Sequence, residues 1–348
     1  MSKPEPKSII VYPSDKNGCG FYRTFIPLRY MCVKYPEYHL SEFYAYHFDL
    51  NYVRRASYIR FQRQVTQKQK ELMMQYRYQI NKCGSKAKMV YELDDLVHGI
   101  AANNILAYQF YTPSRKNNLV DIFRMMDKVT FSTGYLKEYY QNNYQINNSV
   151  VIPNFLPKYL WGSCGKRDKA RKDKRGRPRV LWAGSASHLG KGGDLEFLMP
   201  LIKRTLNDIQ WVFFGVQPPE LQGMVEFHEW ANVYDYAQAL DSVDADMALA
   251  PIVDNEFNLA KSDLKILEYS ALGLPTIASS IGNKRGPYDL IPGLKTLDNN
   301  ADAWYSAIMD WYKNPEEAKK HLEAGQLELS KRWLENESNI GLYRKVYA

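Results

Sequence analysis

Residues 257–275 read FNLAKSDLKILEYSALGLP, and the fold turns on how that stretch is taken. Leu264, Leu267 and Ala271 recur at helical spacing, and Gly273 with Pro275 supplies a stop. On packing alone this is an ordinary amphipathic helix. Its polar residues suggest more. Ser262 is placed to cap the helix, whose free N–H groups and positive dipole end attract an anion. Lys261 and Lys265 add charge at that end, and Glu268 lies two turns inside. ADMALAPI (245–252) before the stretch and LPTIAS (274–279) after it have the apolar continuity of strands buried on both faces.

Working outward, the second half repeats this strand and helix rhythm. Val180–Ala183 is a strand, residues 184–193 are a loop, and Asp194 is expected to cap a helix with Leu195, Leu198, Ile202 and Leu206 on one face. Ile209–Phe214, Ala245–Ile252 and Thr276–Ser279 are further strands. The first half has the same grammar. SIIVY (8–12) precedes a glycine turn at residues 17–20, after which Phe21, Phe25, Leu28 and Cys32 fall at helical spacing. His39–Tyr46, Tyr58–Phe61, Met89–Leu93, Val129–Ser132 and Val150–Ile152 complete the strands, and a helix after Thr66 carries Leu72, Met73, Tyr76 and Ile80. Strands alternating with helices imply parallel sheets with crossover helices, an α/β doubly wound fold made twice. We expect a Rossmann-like domain over 1–155, a linker or surface loop over 156–178 and a second Rossmann-like domain over 179–331. The helical end, about 332–348 with Trp333 and Tyr343 near it, is expected to pack back on the first domain.

Bulk properties agree with two globular domains. The chain has 348 residues, where single domains usually hold about 100–200. Apolar residues make up 45% and charged residues 24%, which excludes a disordered or fibrous chain. No run approaches the roughly 18 apolar residues of a spanning helix, and Met1–Lys7 has no apolar signal core, so a cytoplasmic protein without transmembrane association is expected. Cys19, Cys32, Cys83 and Cys164 are scattered without a CxxC pair, arguing against a structural zinc or a disulfide framework. Net charge is +8, of which Lys166 to Arg179 supplies +7.

The 257–275 stretch resembles the nucleotide-binding signature of the retaining GT-B glycosyltransferases, in which a helix ending EAxAxGxP follows a loop that touches the donor sugar. The resemblance implies two Rossmann-like domains facing across a cleft, a UDP-sugar donor and transfer to a hydroxyl, with no metal strictly required. In that family the residue matching Glu268 accepts hydrogen bonds from the ribose hydroxyls. The family also carries a second Glu eight residues earlier, where this chain has Ala260, a departure that suits a shifted or smaller sugar. WAGSASHLGKGGD (182–194) resembles the strand-loop-helix that holds the donor diphosphate, implicating Ser185, Lys191 and His188 beside Lys261, Ser262, Lys265 and Glu268. GCGFYR (18–23) resembles the loop that meets the donor phosphates from the first domain, implicating Gly18, Gly20 and Arg23. For Cys19 and Phe21 a tight turn made for packing alone is the alternative, and Arg23 is the better functional candidate.

YELDDLVH (91–98) places Asp94 and Asp95 at a strand's C-terminal end, where open α/β sheets bind ligands. We expect them to bind the acceptor or take up its proton, with one Asp as the base, and a capping or loop-ordering role for one of the two is the alternative; two adjacent carboxylates do not by themselves make a metal cage. For the acceptor, Lys166, Arg167, Lys169, Arg171, Lys172, Lys174 and Arg175 suit phosphates of double-stranded DNA, and a solvated linker or an anionic membrane is the alternative. GCGFYR, YELDD and FNLAKSDLK together resemble glycosyltransferase-like proteins of tailed bacteriophages, some of which sugar-coat hydroxymethylcytosine in DNA. That resemblance implies arabinosyl or glucosyl transfer from UDP-arabinose or UDP-glucose to a base rotated out of the duplex. Transfer to a lipid-linked or polysaccharide acceptor, and a catalytically silent nucleotide-sugar or DNA binding module, are the competing expectations.

Overall fold

Twelve strands form two six-stranded, all-parallel sheets in the computed structural model, which describes residues 6–42, 47–166, 176–189 and 191–348. The first sheet holds β1 (Lys7–Tyr12), β2 (Tyr38–Glu42), β3 (Tyr58–Gln62), β4 (Lys88–Leu93), β5 (Lys128–Phe131) and β6 (Ser149–Val151) in the order β2-β1-β3-β4-β5-β6. The second holds β7 (Arg179–Gly184), β8 (Gln210–Gly215), β9 (Glu226–Glu229), β10 (Met247–Ala250), β11 (Thr276–Ser279) and β12 (Lys295–Leu297) in the order β12-β11-β10-β7-β8-β9. Counted from its own first strand, the second sheet has the 3-2-1-4-5-6 order of dinucleotide-binding folds.

Central strands are apolar throughout because helices cover both faces, so β3, β7, β10 and β11 are buried at every position. The edge strands β9 (EFHE) and β12 (KTL) were not expected from the sequence. Their short, charged composition protects an open edge and erases the apolar run by which a strand is read. At β2 the strand lies at Tyr38–Glu42, and residues 43–46 of the expected strand lie outside the described residues.

Helices form where local signals agree with packing. Thr66 and Gln69 make a reciprocal capping box for Gln67–Cys83, Gly84 ends the helix at φ +64°, and Leu72, Met73, Tyr76 and Ile80 are buried. The expected helix after Asp194 begins differently. A 3₁₀ turn at Glu196–Leu198 runs into the helix Met199–Arg204, and Asp194 caps neither, because its carboxylate is used elsewhere. Leu195, Leu198 and Ile202 still enter the core of the second unit, with Trp182, Trp211, Trp304 and Trp311.

The chain divides into two compact units. One comprises Met1–His98, Gln109–Phe155 and Leu334–Ala348, the other Gly99–Tyr108 and Leu156–Trp333. Residues 99–108, expected with the first domain, and Trp333, expected to pack on it, therefore belong to the second unit, while Tyr343 is fully buried in the first. Asn103 Nδ2 donates to Gly192 O at 2.6 Å, and Leu156 forms a parallel bridge with Trp333. Among the described residues no helix is long and apolar enough to cross a membrane.

A buried charge network organises the first unit. Glu92 on β4 is wholly buried and receives Arg23 Nε at 2.7 Å and Arg60 Nη2 at 3.0 Å. Arg23 also donates to Ile152 O at 2.7 Å and Asn154 Oδ1 at 3.0 Å, and Arg60 donates to the Tyr347 hydroxyl at 2.9 Å. Arg23 was expected to meet donor phosphates. It is 2% exposed and its guanidinium is spent on this network, so it serves the core instead. Glu92→Ala is expected to destabilise the first unit by about 3–5 kcal/mol, since two buried guanidinium groups lose their counter-charge. Urea unfolding checks this, and a loss below about 1 kcal/mol would remove the network from the folding core.

Candidate functional site

In the second unit β7 and β10 are neighbours, with β8 beyond one and β11 beyond the other. Loops leaving the C-terminal ends of such a pair diverge to opposite faces and open a crevice, the usual ligand position in this kind of sheet. β7 ends at Gly184, where a Cβ would stand 2.4 Å from the Trp182 ring. The chain then passes Ser185 into a 3₁₀ turn, Ala186–His188.

Asp194 fastens this loop to the one after β10. Its Oδ2 meets His188 Nδ1 at 2.5 Å, while its Oδ1 accepts from Val253 N at 2.8 Å and Asn258 Nδ2 at 3.1 Å. Burial and then the Lys261 charge push His188 down to about 4, so the ring is neutral at pH 7 and presents its Nδ1 proton to the carboxylate. Burial alone would raise Asp194, but the His188 hydrogen bond and Lys261 hold it below its ordinary value. Asp194 orients His188 as a carboxylate orients a catalytic or ligating imidazole.

The helix Leu264–Ala271 is sewn to the end of β7 by two residues one turn apart on it. Lys265 Nζ donates to Ala183 O, and the Tyr269 hydroxyl accepts from Ala183 N at 3.0 Å. On another side Ser270 fills the space beside Gly325, where a Cβ would lie 2.3 Å from its hydroxyl. The N-terminal end of this helix therefore points into the crevice region at a fixed place. Ser262 was expected as its cap. The cap position is Asp263, with no side-chain cap bond, because Asp263 Oδ1 is engaged by Arg332 Nη2 at 2.5 Å.

Two cations stand at this helix end. Lys265 Nζ lies 5.3 Å from the Trp182 ring centre and Lys261 Nζ 5.3 Å from that of Phe257. Neither ammonium is ion-paired to a carboxylate among the described residues. A half-buried ammonium without a close ion pair is costly, and an incoming anion relieves it. Burial first, and then Lys261, lowers the pKa of Lys265. Glu268, further along the helix and 8% exposed, is raised by burial, pulled back by the Lys265 charge and hydrogen-bonded by Tyr236. This combination can hold a polyphosphate at the helix end and hydroxyl donors at Glu268.

His188, Lys261, Lys265 and Glu268 thus act on one another electrostatically. Ser185 is half-buried on the same loop and Lys191 is exposed. Asp194, Asn258 and Tyr236 were missed. Asp194 carried the signal of a helix cap, and the other two carried none.

In the first unit Gly18 and Gly20 open a helical run that continues through a π turn at Phe21–Phe25. Gly20 is required by packing, since a Cβ would stand 2.0 Å from Asp15 O; Gly18 has open space around it. Asp94 and Asp95 both face Arg63, at 3.4 Å and 3.1 Å, and Arg63 also donates to Cys19 Sγ at 3.1 Å. Arg63 holds the left-handed φ of +55° that arginine seldom adopts. Asp94 and Asp95, expected to bind the acceptor or take up its proton, are thus both paired with Arg63. Lys166 is exposed, whereas Arg167, Lys169, Arg171, Lys172, Lys174 and Arg175 lie outside the described residues. Among the described residues no group of three or more His, Cys, Asp or Glu is arranged to hold a metal ion.

No protein-family model and no curated protein matches this sequence. Solved structures match over nearly its whole length. Sucrose-phosphate synthase from Thermosynechococcus elongatus is 14% identical with a TM-score of 0.65, covering 99% of each chain. Anabaena HepE, in complex with UDP and glucose, is 12% identical with a TM-score of 0.64, covering 98% of this chain and 99% of its own. A glycosyltransferase from Rickettsia africae is 15% identical with a TM-score of 0.59, covering 99% of this chain and 98% of its own. Identities this low establish the fold, which is the GT-B type: two Rossmann-like units with parallel sheets.

The lysine pair makes a pH-dependent prediction. Anion binding needs the Lys265 ammonium, so affinity for inorganic pyrophosphate should be complete below the lowered Lys265 pKa and decline as pH rises through it, well before the ordinary lysine value of about 10.4. Lys265→Met should weaken pyrophosphate by about 1.5–3 kcal/mol and abolish that decline. Calorimetric titration across pH 6 to about 10 reads both, and a pH-independent affinity would dissociate Lys265 from the anion.

Proposed function

We propose that this protein is a glycosyltransferase that takes a sugar from a UDP-sugar and passes it to a hydroxyl. The observation that carries the reading is the pair Lys261 and Lys265, half-buried without carboxylate partners at the N-terminal end of the 264–271 helix, with Glu268 on the same helix. As the bond from the sugar's C1 to the diphosphate breaks, negative charge collects on the leaving oxygen. Ammonium groups and helix N–H dipoles already in place stabilise that charge without reorganising. Glu268 receives the ribose hydroxyls. His188, neutral and oriented by Asp194, is a hydrogen-bonding group beside the lysines, and Ser185, Lys191 and the glycine loop at Gly18 and Gly20 are assigned to the donor as well.

The sugar we favour is arabinose over glucose, because Ala260, wholly buried, offers no carboxylate for additional sugar hydroxyls. For the acceptor we propose hydroxymethylcytosine in double-stranded bacteriophage DNA. Supporting it are the net charge of +8 and the run of seven Lys and Arg between Lys166 and Arg175, since such charge binds DNA through counterion release. Asp94 and Asp95, clamped by Arg63, would orient the acceptor hydroxyl. A second reading, a lipid-linked acceptor, is favoured by Ile105, Leu106 and Tyr108, which are 61%, 81% and 50% exposed.

Incubation with UDP-arabinose or UDP-glucose and duplex DNA containing hydroxymethylcytosine, followed by nucleoside mass spectrometry, separates these. A pentose added to the base is the expected result. Transfer only to a lipid-linked acceptor selects the second reading, and UDP binding without turnover to any acceptor would leave a binding module in place of an enzyme. Glu268→Ala should weaken UDP by about 1–3 kcal/mol while sparing pyrophosphate, and unchanged UDP affinity would remove Glu268 from the donor site.

A further inference from the structure

Trp161, Trp182, Trp211, Trp304 and Trp311 are at most 3% exposed, but Trp230 is 53% exposed. Leaving so large an apolar surface in water forfeits stability that a polar residue would not lose. Its surroundings are nevertheless those of a built position. β8 pairs with β7 so that Gly215 lies opposite Gly184, and with β9 so that Gly215 lies opposite Glu229. Trp230 follows Glu229 directly, so its ring stands at the C-terminal edge of the sheet, in the same row as the Gly184–Ser185 turn.

That ring lies flush over Gly215. A Cβ there would be 2.9 Å from Trp230 Cε3 and 2.7 Å from Gly184 O, and the residue has a φ of +96° that excludes side chains by itself. Tyr236 braces the indole edge-on, with ring centres 5.2 Å apart and planes at 89°, and Phe214 supports it at 6.0 Å. Tyr236 in turn packs on Trp161 at 5.8 Å and hydrogen-bonds Glu268. Two rings, Tyr236 and Phe214, therefore hold one indole, with Trp161 behind Tyr236; the indole is still half in solvent and is joined by a single tyrosine to the carboxylate of the site.

We propose that Trp230 is the stacking platform for the planar base of the nucleotide. This rests on the reading of Lys261, Lys265 and Glu268 as a donor site. With the diphosphate at the lysines and the ribose at Glu268, the base extends past Tyr236, and the indole face there is the exposed aromatic surface it meets. Stacking on a pre-positioned indole needs no hydrogen-bond readout and loses little entropy on binding. Gly215 is part of the device, since any side chain there lifts the ring from the sheet edge.

The test compares UDP with inorganic pyrophosphate on the full-length protein and on Trp230→Ala, Trp230→Phe and Gly215→Ala. Trp230→Ala should weaken UDP on the order of tenfold or more and leave pyrophosphate unchanged, and Trp230→Phe should restore most of the loss. UDP should quench the indole emission that is missing from Trp230→Phe, and pyrophosphate should not. Gly215→Ala should weaken UDP selectively. Equal loss of UDP and pyrophosphate in Trp230→Ala would make the residue structural and overturn the platform. Unchanged UDP affinity would overturn the platform while leaving the donor site standing, and a wild-type protein that binds neither ligand would overturn both.

Discussion

Lys265 is held by its helix in a place where its ammonium makes no ion pair among the described residues. Its ammonium reaches under the end of β7 to Ala183 O and the Trp182 ring, and Tyr269, one turn on, takes the amide of the same Ala183. A carbonyl and an aromatic face are weak counter-groups for a buried cation. Burial answers by lowering the lysine's proton affinity, and Lys261 adds to the strain. Glu268 and Asp194 offset part of that cost, and an anion at the helix end offsets more. The site's position is dictated by the strand order, because β7 and β10 are the pair at which that order reverses.

Asp194 shows how the same local signal can serve two ends. An aspartate before Leu195 reads as a helix cap, since a short carboxylate at that position satisfies free N–H groups. In the fold the loop after β10 comes alongside, and Val253 N, Asn258 Nδ2 and His188 Nδ1 saturate the carboxylate first. The helix starts later, through a 3₁₀ turn, and the loops that flank the crevice are tied together. A lone histidine in a glycine loop becomes an oriented, neutral imidazole by the same bond.

In the first unit a comparable exchange turns expected ligand groups into architecture. Arg23 leaves its glycine-rich loop for Glu92, which lies at the middle of the sheet, and Arg63 gathers Asp94 and Asp95. Burying guanidinium groups requires carboxylates at matched geometry, so the positions of Glu92, Asp94 and Asp95 on and after one strand specify how three arginines are disposed. Tyr347, just after the last helix, joins through Arg60, which is how that helix is secured to a sheet made at the other end of the chain.

The alternation of apolar strands and amphipathic helices, the glycine turns and the 257–275 stretch carry the doubly wound fold in the sequence itself. Those features are local: buried parallel strands demand unbroken apolar runs, and capping and stop residues act within a few positions. The charged edge strands β9 and β12 escape that reading, because an open edge selects against the signal. The site divides along the same line. Lys261, Lys265 and Glu268 share one helix and its approach, so their association is a matter of spacing. The burial of Arg23, the loss of Ser262 as cap, the grip of Asp194 on His188, and the Tyr236 contact to Glu268 were decided by tertiary structure alone. Most join residues far apart in the chain, and even the Asp194–His188 bond, six residues apart, is set by the loop after β10 that competes for the same carboxylate; which partner wins depends on what the fold brings near.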